Sequence, residues 1–457
     1  MGQINYIDTL IRKAKDALSV VEGYTQEQID ALVKAIGKAI YYNAETLAKE
    51  AVEETGYGSV ESKTWKQKKT CIATWVYLRD KSSVGIIEED PLNGLITYAK
   101  PVGVVACLTP STNPTSTMAS NGMHIIKNCN AMIVAPHPKA RKCTVHGVEL
   151  VKEALKKLGA PDNLIQVIEE PSMALSQELM SKVDVVVATG GFDMVKAAYS
   201  SGKPSFGVGQ GNVQALIAED YTDYKTAAET IVKNRCYDNG IPCTCEQSIH
   251  FPKTREKDYL AAFQDAGAYI LKEDEKVEQL AKLLFKETGS INPANIGLTA
   301  VKLAEKIGLN IPTDAKVLLV RARGVGREHP LCKEKLSPVL IYYTYDSFEQ
   351  AIENAKVNLL MEGAGHTATV FTYNDANARL VGAKLPVGRV VVNQAGVTAS
   401  GGSLINSLNP TISLGCGSWG NNSISENLTY KHLMNVTKVA FPKENFVFPS
   451  PEDVWGE

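Results

Sequence analysis

The sequence predicts an α/β protein with two Rossmann-like domains, each built on a parallel sheet. The first observation is that short runs of Val, Ile and Ala alternate with helical periods from Leu95 onward. Continuous apolar runs of this kind are typical of strands that helices cover on both faces. A second series of the same kind begins after Asp220. The third observation is the length of 457 residues, which exceeds one core of about 150 residues and indicates two or three domains.

The part of the chain before these strands is predicted to be helical. Thr25 and Gln28 have the spacing of a capping box, and we expect one long helix from there through Glu54. Gly56 and Gly58 are expected to end this helix. The predicted strands of the first series are 104–108, 131–135, 164–168 and 183–188, and the predicted helices lie near 115–128, 141–158 and 173–181. The predicted strands of the second series lie near 247–251, 316–321, 339–345, 367–372 and 389–393.

Composition and charge argue against several classes of partner. The formal net charge is −2, and no Lys/Arg block is interleaved with aromatic residues, so we expect neither nucleic acid nor an anionic membrane as a partner. No apolar run approaches about 18 residues, and the first residues lack the apolar centre of a signal peptide. The nine cysteines are odd in number and have no framework spacing. This pattern is typical of reduced thiols in the cytoplasm.

The loops that follow the strands of such sheets are the expected ligand sites. His137 and Lys139 follow the second strand and are expected near a ribose or a phosphate, and a role as ordinary polar loop residues stays open. The run Thr189-Gly190-Gly191 opens a helix, where free N–H groups and the helix dipole favour a pyrophosphate. The nearest match to a dinucleotide fingerprint, Gly207 to Gly211, precedes a strand rather than a helix and is discounted.

One stretch, Asn234 to Ser248, combines a tight turn with two cysteines. Its Asp-Asn-Gly turn accepts positive φ, so Cys243 is expected on a presented loop at the start of a strand. A thiol beside free backbone N–H groups suits acyl transfer, because these groups stabilise both a thiolate and an oxyanion. Cysteine spacing alone leaves open that Cys243 and Cys245 are core residues of a strand. A metal site is disfavoured because no second close cysteine pair follows.

Several motifs extend this interpretation along the chain. They are T-P-S-T-N-P-T-S-T (109–117), A-P-H-P-K-A (135–140), A-T-G-G (188–191), A-Y-S-S-G-K-P (198–204), G-V-G-Q-G-N (207–212), Y-D-N-G-I-P-C-T-C-E-Q-S (237–248), K-E-K-L-S-P-V (333–339), G-A-G-H-T (363–367) and L-G-C-G-S-W-G-N-N-S-I-S-E-N (414–427). In this order and at these intervals, the chain resembles the coenzyme A-acylating aldehyde dehydrogenases over nearly its whole length. This branch contains acylating succinate-semialdehyde dehydrogenases and the aldehyde half of bifunctional aldehyde/alcohol dehydrogenases.

The resemblance implies an aldehyde dehydrogenase-like fold with three parts. We expect an NAD(P)-binding domain over 1–218, a catalytic domain over 219–420, and a C-terminal segment with an oligomerisation strand over 421–457. Residues 92–103 are expected to contribute to the same small arm. The apolar run near 435–441 has no partner left nearby in the sequence, which predicts exchange of this strand within a homodimer or a dimer of dimers.

The resemblance also implies roles for individual residues. Cys243 takes the place of the nucleophile, and Cys245 is a neighbour. Asn113 or Thr112, with the N–H of Cys243, is expected to form the oxyanion hole. His366 matches the active-site histidine. With a pKa of about 6.5, it is expected to accept the thiol proton of coenzyme A. The alternative is that His366 only makes a supporting hydrogen bond. The residues expected to bind NAD or NADP are Glu334 (at the nicotinamide ribose), Thr189, Gly190, Gly191, His137, Pro138, Lys139 and Gly209.

The segment Phe206 to Asn212 bears on whether water or coenzyme A accepts the acyl group. Hydrolytic relatives carry here a glutamate that activates water, and this chain has no carboxylate in the segment. A thioester on Cys243 is therefore expected to last until coenzyme A takes the acyl group. The expected reaction is the reversible oxidation of a short aldehyde, with acetaldehyde, succinate semialdehyde and sulfoacetaldehyde all open. A water-using dehydrogenase and a non-catalytic binding protein on the same fold are the alternatives.

A group of hydroxyls in the loop after the first strand allows two interpretations. They can hydrogen-bond an anionic tail of the substrate, or they can cap the helix that starts there, and capping is favoured. The residues concerned are Thr112, Thr115, Ser116 and Thr117.

Overall fold

The computed structural model describes residues 5–443 and 446–456, and the remaining parts of the predicted first and last segments (1–4, 444–445 and 457) lie outside the described residues. Elements are numbered in chain order. The α-helices are α1 (Tyr6–Val21), α2 (Gln26–Tyr42), α3 (Ala44–Thr55), α4 (Val60–Leu78), α5 (Pro114–Ile126), α6 (Arg141–Lys156), α7 (Met173–Lys182), α8 (Phe192–Tyr199), α9 (Tyr224–Cys236), α10 (Glu256–Asp265), α11 (Asp274–Leu284), α12 (Ala300–Lys306), α13 (Phe348–Met361), α14 (Asp375–Lys384), α15 (Gly396–Ala399) and α16 (Pro451–Trp455). The β-strands are β1 (Ile86–Asp90), β2 (Leu95–Pro101), β3 (Val104–Thr109), β4 (Ala131–Pro136), β5 (Ile165–Val167), β6 (Val185–Thr189), β7 (Ser205–Val208), β8 (Val213–Ile217), β9 (Glu246–Pro252), β10 (Ala268–Leu271), β11 (Val317–Arg321), β12 (Val339–Tyr345), β13 (Gly365–Phe371), β14 (Val387–Val392) and β15 (Met434–Ala440).

The first parallel sheet has the strand order β5-β4-β3-β6-β7. All neighbouring strands in it are parallel, and β3 and β4 are buried along their whole length. The four strands predicted for the first series are confirmed, and β7 completes the sheet. Because β4 and β6 flank β3 on opposite sides, the loops after β3 and β6 lie where the strand order reverses, which is the usual ligand site of such sheets.

The second parallel sheet has the strand order β10-β11-β12-β9-β8-β13-β14. The strands predicted for the second series are confirmed, and β10 is an addition. β8 also belongs to this sheet, although the predicted boundary at residue 218 assigned it to the first domain. The chain therefore passes between the two sheets after Val208, before β8 begins. A fully buried run such as β8 has the same sequence pattern in either sheet, so the local sequence does not reveal its neighbours.

The N-terminal helices form a continuous core with the first sheet. The predicted capping box is present, since the Thr25 hydroxyl accepts from the Gln28 N–H and the Gln28 side chain accepts from the Thr25 N–H. The prediction of one long helix through Glu54 is wrong, because α2 and α3 are separated at Asn43. The Asn43 amide donates to the Ala39 carbonyl at 2.8 Å, and this local bond competes with continuation of the helix.

A three-stranded antiparallel sheet, in the order β1-β2-β15, brings β15 beside two strands that precede the first parallel sheet in the chain. β2 lies within the predicted 92–103 segment. β15 pairs with β2 of the same chain along its length, from Met434 opposite Pro101 to Ala440 opposite Leu95. β15 therefore has a strand partner within its own chain, which the prediction of exchange with a neighbouring subunit did not foresee. Its partner is close in space but distant in sequence, so the local pattern does not indicate the pairing.

Candidate active site

The loop before β9 presents Cys243. Asp238 and Asn239 have φ of 49° and 54°, and Gly240 has φ of 75°. A Cβ on Gly240 would lie 2.6 Å from the carbonyl carbon of Ser337, so this turn requires glycine. The turn directs Cys243 to the start of β9, a central strand of the second sheet, where the residue is partly buried.

The neighbouring cysteine has a different environment. Cys245 is fully buried, and its thiol donates to the Asn234 carbonyl at 3.3 Å. It packs as a core residue, as the simplest interpretation of the spacing suggested for both cysteines. Cys243 instead lines a cavity that the Cys245 side chain does not reach.

His366 brings the second predicted side chain to the thiol. Its Nε2 lies 3.2 Å from Cys243 Sγ, and its Nδ1 lies 3.0 Å from the Thr367 hydroxyl. The preceding glycine, Gly365, has φ of 81°, and a Cβ there would lie 1.6 Å from the Cys416 carbonyl oxygen. The glycine therefore allows close approach of two backbones, and this approach holds the imidazole against the thiol.

The thiol and the imidazole are both neutral in this environment. Burial, with smaller contributions from Glu334 and Cys416, raises the pKa of Cys243 to about 12. Burial and the nearby Arg389 lower the pKa of His366 to about 3. The expected ordinary histidine pKa of about 6.5 is therefore wrong, because the ring is fully buried beside a cation.

Glu334 lies behind the nucleophile. Its Oε1 accepts from the Gly211 N–H at 3.3 Å. Burial and the neighbouring Glu362 raise the pKa of Glu334 to about 8, so the carboxyl is mostly protonated near neutral pH. A Cβ on Gly211 would lie 1.9 Å from the Cys243 carbonyl oxygen. The segment in which hydrolytic relatives carry their base therefore packs directly on the backbone of Cys243.

A network that the sequence analysis did not identify holds Asn113 at the cavity. The Lys66 ammonium donates to the Asn113 amide oxygen and, at 2.7 Å, to Asp238. Lys63 donates to the same Asp238 oxygen at 3.1 Å and to the Thr112 carbonyl at 2.9 Å. The Thr112 hydroxyl accepts from the Asn113 amide at 3.3 Å. Of the two predicted oxyanion residues, Asn113 lines the cavity, and Thr112 supports it from behind.

The hydroxyls after Thr112 do not cap α5 in the described part of the chain. α5 starts at Pro114 with Asn113 as its N-cap, and Asn113 makes no capping hydrogen bond. Thr115, Ser116 and Thr117 are buried in the packing of α5, and the Thr117 hydroxyl has no partner. The favoured capping interpretation is therefore wrong.

A cavity of about 90 Å³ opens on one side of Cys243. It lies between α4, the Cys243 loop and the segment that follows α15. Its lining residues include no Asp or Glu, and they are Trp65, Lys66, Lys69, Thr70, Ala73, Thr74, Asn113, Tyr237, Pro242, Cys243, Thr244, Val397, Gly401, Gly402, Pro410, Thr411, Ile412 and Leu414. The position beside the thiol makes this cavity the candidate substrate site.

A larger cavity of about 530 Å³ lies between α8, the loop after β7 and the Gly-rich segment after residue 415. Gly209 lines it, together with Lys196, Glu362 and Cys416. Gly190 and Gly191 precede α8, whose side chains form one wall of this cavity. The Thr189 hydroxyl lies 3.4 Å from the Ser413 hydroxyl.

The cofactor-binding residues predicted at 137–139 lie at the end of β4. His137 caps a short 3-10 helix that contains Pro138 and Lys139, and its Nδ1 accepts from the Lys139 N–H at 3.1 Å. The Lys139 ammonium lies 3.7 Å from the centroid of the Tyr57 ring. These residues are exposed at the same edge of the first sheet as Thr189, and the contacts of the described residues do not join them to Cys243.

Two kinds of feature are absent from residues 5–443 and 446–456. No helix there is both long and apolar enough to cross a bilayer. Nor do three or more His, Cys, Asp or Glu side chains in this part of the chain converge as a metal site.

Comparison with known proteins shows the family. Residues 2–280 match the aldehyde dehydrogenase family model. The chain is 50% identical to a succinate-semialdehyde dehydrogenase (acetylating) of Clostridium kluyveri over 98% of this chain and 99% of that one. It is 42% identical to a sulfoacetaldehyde dehydrogenase of an Acholeplasma species over 99% and 93% of the two chains. The structure superposes on an acetylating aldehyde dehydrogenase from Geobacillus thermoglucosidasius with a TM-score of 0.93 and 37% identity, over 98% of both chains. With its thiol, imidazole and glycine turns at the motif positions, the chain belongs to the aldehyde dehydrogenase family, in the branch of the acylating enzymes.

Proposed function

We propose that this chain catalyses the reversible oxidation of a short aldehyde to its acyl-coenzyme A with NAD(P)+. The observation that carries the proposal is the Cys243 thiol, 3.2 Å from the His366 imidazole and at the wall of a cavity without Asp or Glu. A non-catalytic binding protein on this fold has no need of a thiol and an imidazole in contact at a cavity wall. The arrangement supports acyl transfer through a thioester on the protein.

The first step is attack of the Cys243 sulfur on the aldehyde carbon. As the C–S bond forms, His366 Nε2 takes the thiol proton, because it is the hydrogen-bond partner of Sγ. The Asn113 amide, oriented by Lys66, and the Cys243 N–H are the donors for the oxygen that becomes negative. The imidazole is unprotonated, and because its pKa is low it takes the proton only as the C–S bond forms and negative charge develops on the aldehyde oxygen.

The residues around the larger cavity fit a dinucleotide. α8 begins directly after Gly191, where the first N–H groups of a helix have no partner within the helix, and Lys196 adds a positive charge at the cavity wall. A Cβ on Gly209 would meet nothing within 4 Å, so a ligand has room to approach that backbone. A bound nicotinamide would supply the acceptor for the hydride that leaves the carbon attached to sulfur. We assign Glu334 to the nicotinamide ribose, and His137, Pro138 and Lys139 to the adenosine end.

Coenzyme A is the proposed acceptor of the acyl group. The lining of the cavity beside Cys243 contains no Asp or Glu, so it offers no carboxylate that would activate water against the thioester. The thioester persists until a thiol attacks, and the thiol's sulfur takes the acyl group while the Cys243 sulfur leaves. A water-using dehydrogenase is disfavoured on the same ground.

The decisive experiment measures NAD(P)H formation from a short aldehyde with and without coenzyme A. Succinate semialdehyde and sulfoacetaldehyde are natural first choices, because relatives carry those names. We expect steady turnover only when coenzyme A is present. Equal turnover without it would establish the water-using reaction, and no NAD(P)H from any aldehyde would support the non-catalytic protein.

We also propose that the chain forms a homodimer, or a dimer of such dimers, through the arm of β1, β2 and β15. Val436 on β15 is 51% exposed and Phe441, just after it, is 55% exposed, and exposed apolar side chains at a sheet edge favour association. Light scattering after size exclusion is the test, and Val436→Lys with Phe441→Lys is expected to yield monomers. An unchanged mass would remove the arm from the interface.

Nine unpaired cysteines favour the cytoplasm as the compartment.

A further inference from the structure

One wall of the substrate cavity is formed by α4. This helix presents Trp65, Lys66, Lys69, Thr70 and Ala73 to the cavity. Residues three and four apart share one face of a helix, so the spacing places both lysines on the face toward Cys243. The sequence predicted this segment only as helical.

The charges around the cavity do not balance. Its lining includes Lys66 and Lys69 but no Asp or Glu. Lys66 has a counter-charge nearby, since it donates to Asp238 at 2.7 Å, but Lys63 draws on the same carboxylate. Lys69 donates at 2.6 Å to the neutral carbonyl of Thr398 and forms no ion pair among the described residues. The α4 wall therefore carries an excess of positive charge.

Lys69 is costly to keep in this position without an anion. Burial lowers its pKa to about 8, which expresses the penalty for a partly desolvated ammonium. The Trp65 ring, whose centroid lies 5.1 Å from the ammonium, offsets part of this penalty. A polar group nearby lacks any hydrogen-bond partner, because the Thr74 hydroxyl is fully buried, lines the same cavity and makes no hydrogen bond. An anionic oxygen in the cavity would give Lys69 a counter-charge and the Thr74 hydroxyl a hydrogen-bond partner.

We propose that Lys69 binds the acid group of the substrate, so that the preferred aldehydes carry a carboxylate or a sulfonate at the end opposite the carbonyl. This rests on the proposed function, which puts the carbonyl carbon at Cys243. A cavity of about 90 Å³ accommodates roughly six to nine atoms of the size of a water molecule. Short aldehydes with an acid group at the far end, such as succinate semialdehyde and sulfoacetaldehyde, are of that size.

The test compares charged and neutral aldehydes in three variants. Lys69→Met removes the charge and keeps the length of the side chain, and Lys69→Arg keeps the charge. Lys68→Met is the matched control, since Lys68 is exposed on the same helix and lies over the Tyr41 ring, outside the cavity lining. The neutral partner is butyraldehyde, which has a methyl group where succinate semialdehyde has its carboxylate.

The quantity measured is the ratio of kcat/KM for succinate semialdehyde to that for butyraldehyde, and the same ratio for sulfoacetaldehyde. We expect Lys69→Met to lower at least one ratio by about ten- to hundredfold, mainly through KM, because one charged hydrogen bond is lost. Lys69→Arg should retain most of the preference, and Lys68→Met should match the wild type. The acid whose ratio falls further is the one the site prefers. Unchanged ratios in Lys69→Met would overturn the proposal.

A second measurement separates this proposal from the proposed function. Aldehydes add reversibly to the Cys243 thiol and protect it from iodoacetamide, a reaction that needs neither NAD(P)+ nor coenzyme A. We expect charged aldehydes to protect the wild type at about tenfold lower concentration than butyraldehyde, and Lys69→Met to abolish this difference. The absence of a charge preference in the wild type would refute the role of Lys69 even if coenzyme A-dependent turnover is found. A preference without such turnover would support Lys69 and refute the proposed reaction instead.

Discussion

Replacement of His366 by alanine tests the central contact of the site. In the structure the thiol pKa is raised to about 12, so roughly one thiol in 10⁴ to 10⁵ is ionised at a pH of about 7.5. Since His366 is also a weak base in this environment, we infer that the thiol proton passes to it across the 3.2 Å contact only as the sulfur attacks the aldehyde carbon. Loss of a general base of this kind lowers rates by about 10² to 10⁴. We expect His366→Ala to lose that factor in formation of the thioester, before coenzyme A takes part.

The assay is rapid mixing of enzyme, aldehyde and NAD(P)+ without coenzyme A, with NAD(P)H absorbance as the signal. The wild type should give a burst of one NAD(P)H per site. In His366→Ala the same amplitude should form at least about a hundredfold more slowly. Its rate should rise with pH, since the folded-state thiol pKa lies far above neutrality and each unit of pH yields about ten times more thiolate.

Thr367→Val is the matched variant, because it removes the hydroxyl that lies 3.0 Å from His366 Nδ1 and leaves the imidazole in place. We expect a smaller loss, of about tenfold, as the ring becomes less well oriented. A burst at the wild-type rate in His366→Ala would refute the reasoning. It would assign His366 to the coenzyme A step alone, as the sequence analysis expected.

The other predictions concern the nucleophile and two buried carboxyl groups. Cys243→Ala should abolish turnover and remain folded by circular dichroism, whereas Cys245→Ala should keep most activity; the reverse result would mean that the wrong cysteine was assigned. The pKa of Glu334 in the folded protein is raised to about 8, compared with about 4.3 in the unfolded chain. Its contribution to stability is therefore complete below pH of about 4.3 and is lost as the pH rises through about 8. Between these values the free energy of unfolding falls by up to about 1.4 kcal/mol per pH unit. Melting temperatures of Glu334→Gln should therefore fall less than those of wild type over this range, and parallel curves would contradict the shift. Asp238→Asn leaves two buried ammonium groups without a counter-charge and should lower the free energy of unfolding by about 3 to 5 kcal/mol in urea titrations; adding Lys66→Met should recover part of this loss, and no recovery would show that the ion pair is not the cause.

Local sequence determined the features that depend on neighbouring residues. The alternation of apolar runs and helical periods indicated the parallel strands, and the Thr25 and Gln28 spacing indicated a capping box. The Asp-Asn-Gly step indicated the left-handed turn before Cys243, because few residue types accept positive φ. The ordered motifs indicated the family, since each lies in a loop or turn whose backbone requires particular residues.

Only the tertiary structure decided the features that depend on residues far apart in the chain. β8 entered the second sheet and β15 paired with β2, although neither run differs in pattern from a strand with other neighbours. Burial beside Arg389 lowered the pKa of His366, an effect that the motif around the histidine does not contain. Lys69 appeared as one of several charges on a helix and became a candidate specificity residue only when α4 was placed over Cys243. Charge and burial act through space, so the same lysine is a solvated surface group or a substrate contact according to what the fold packs around it.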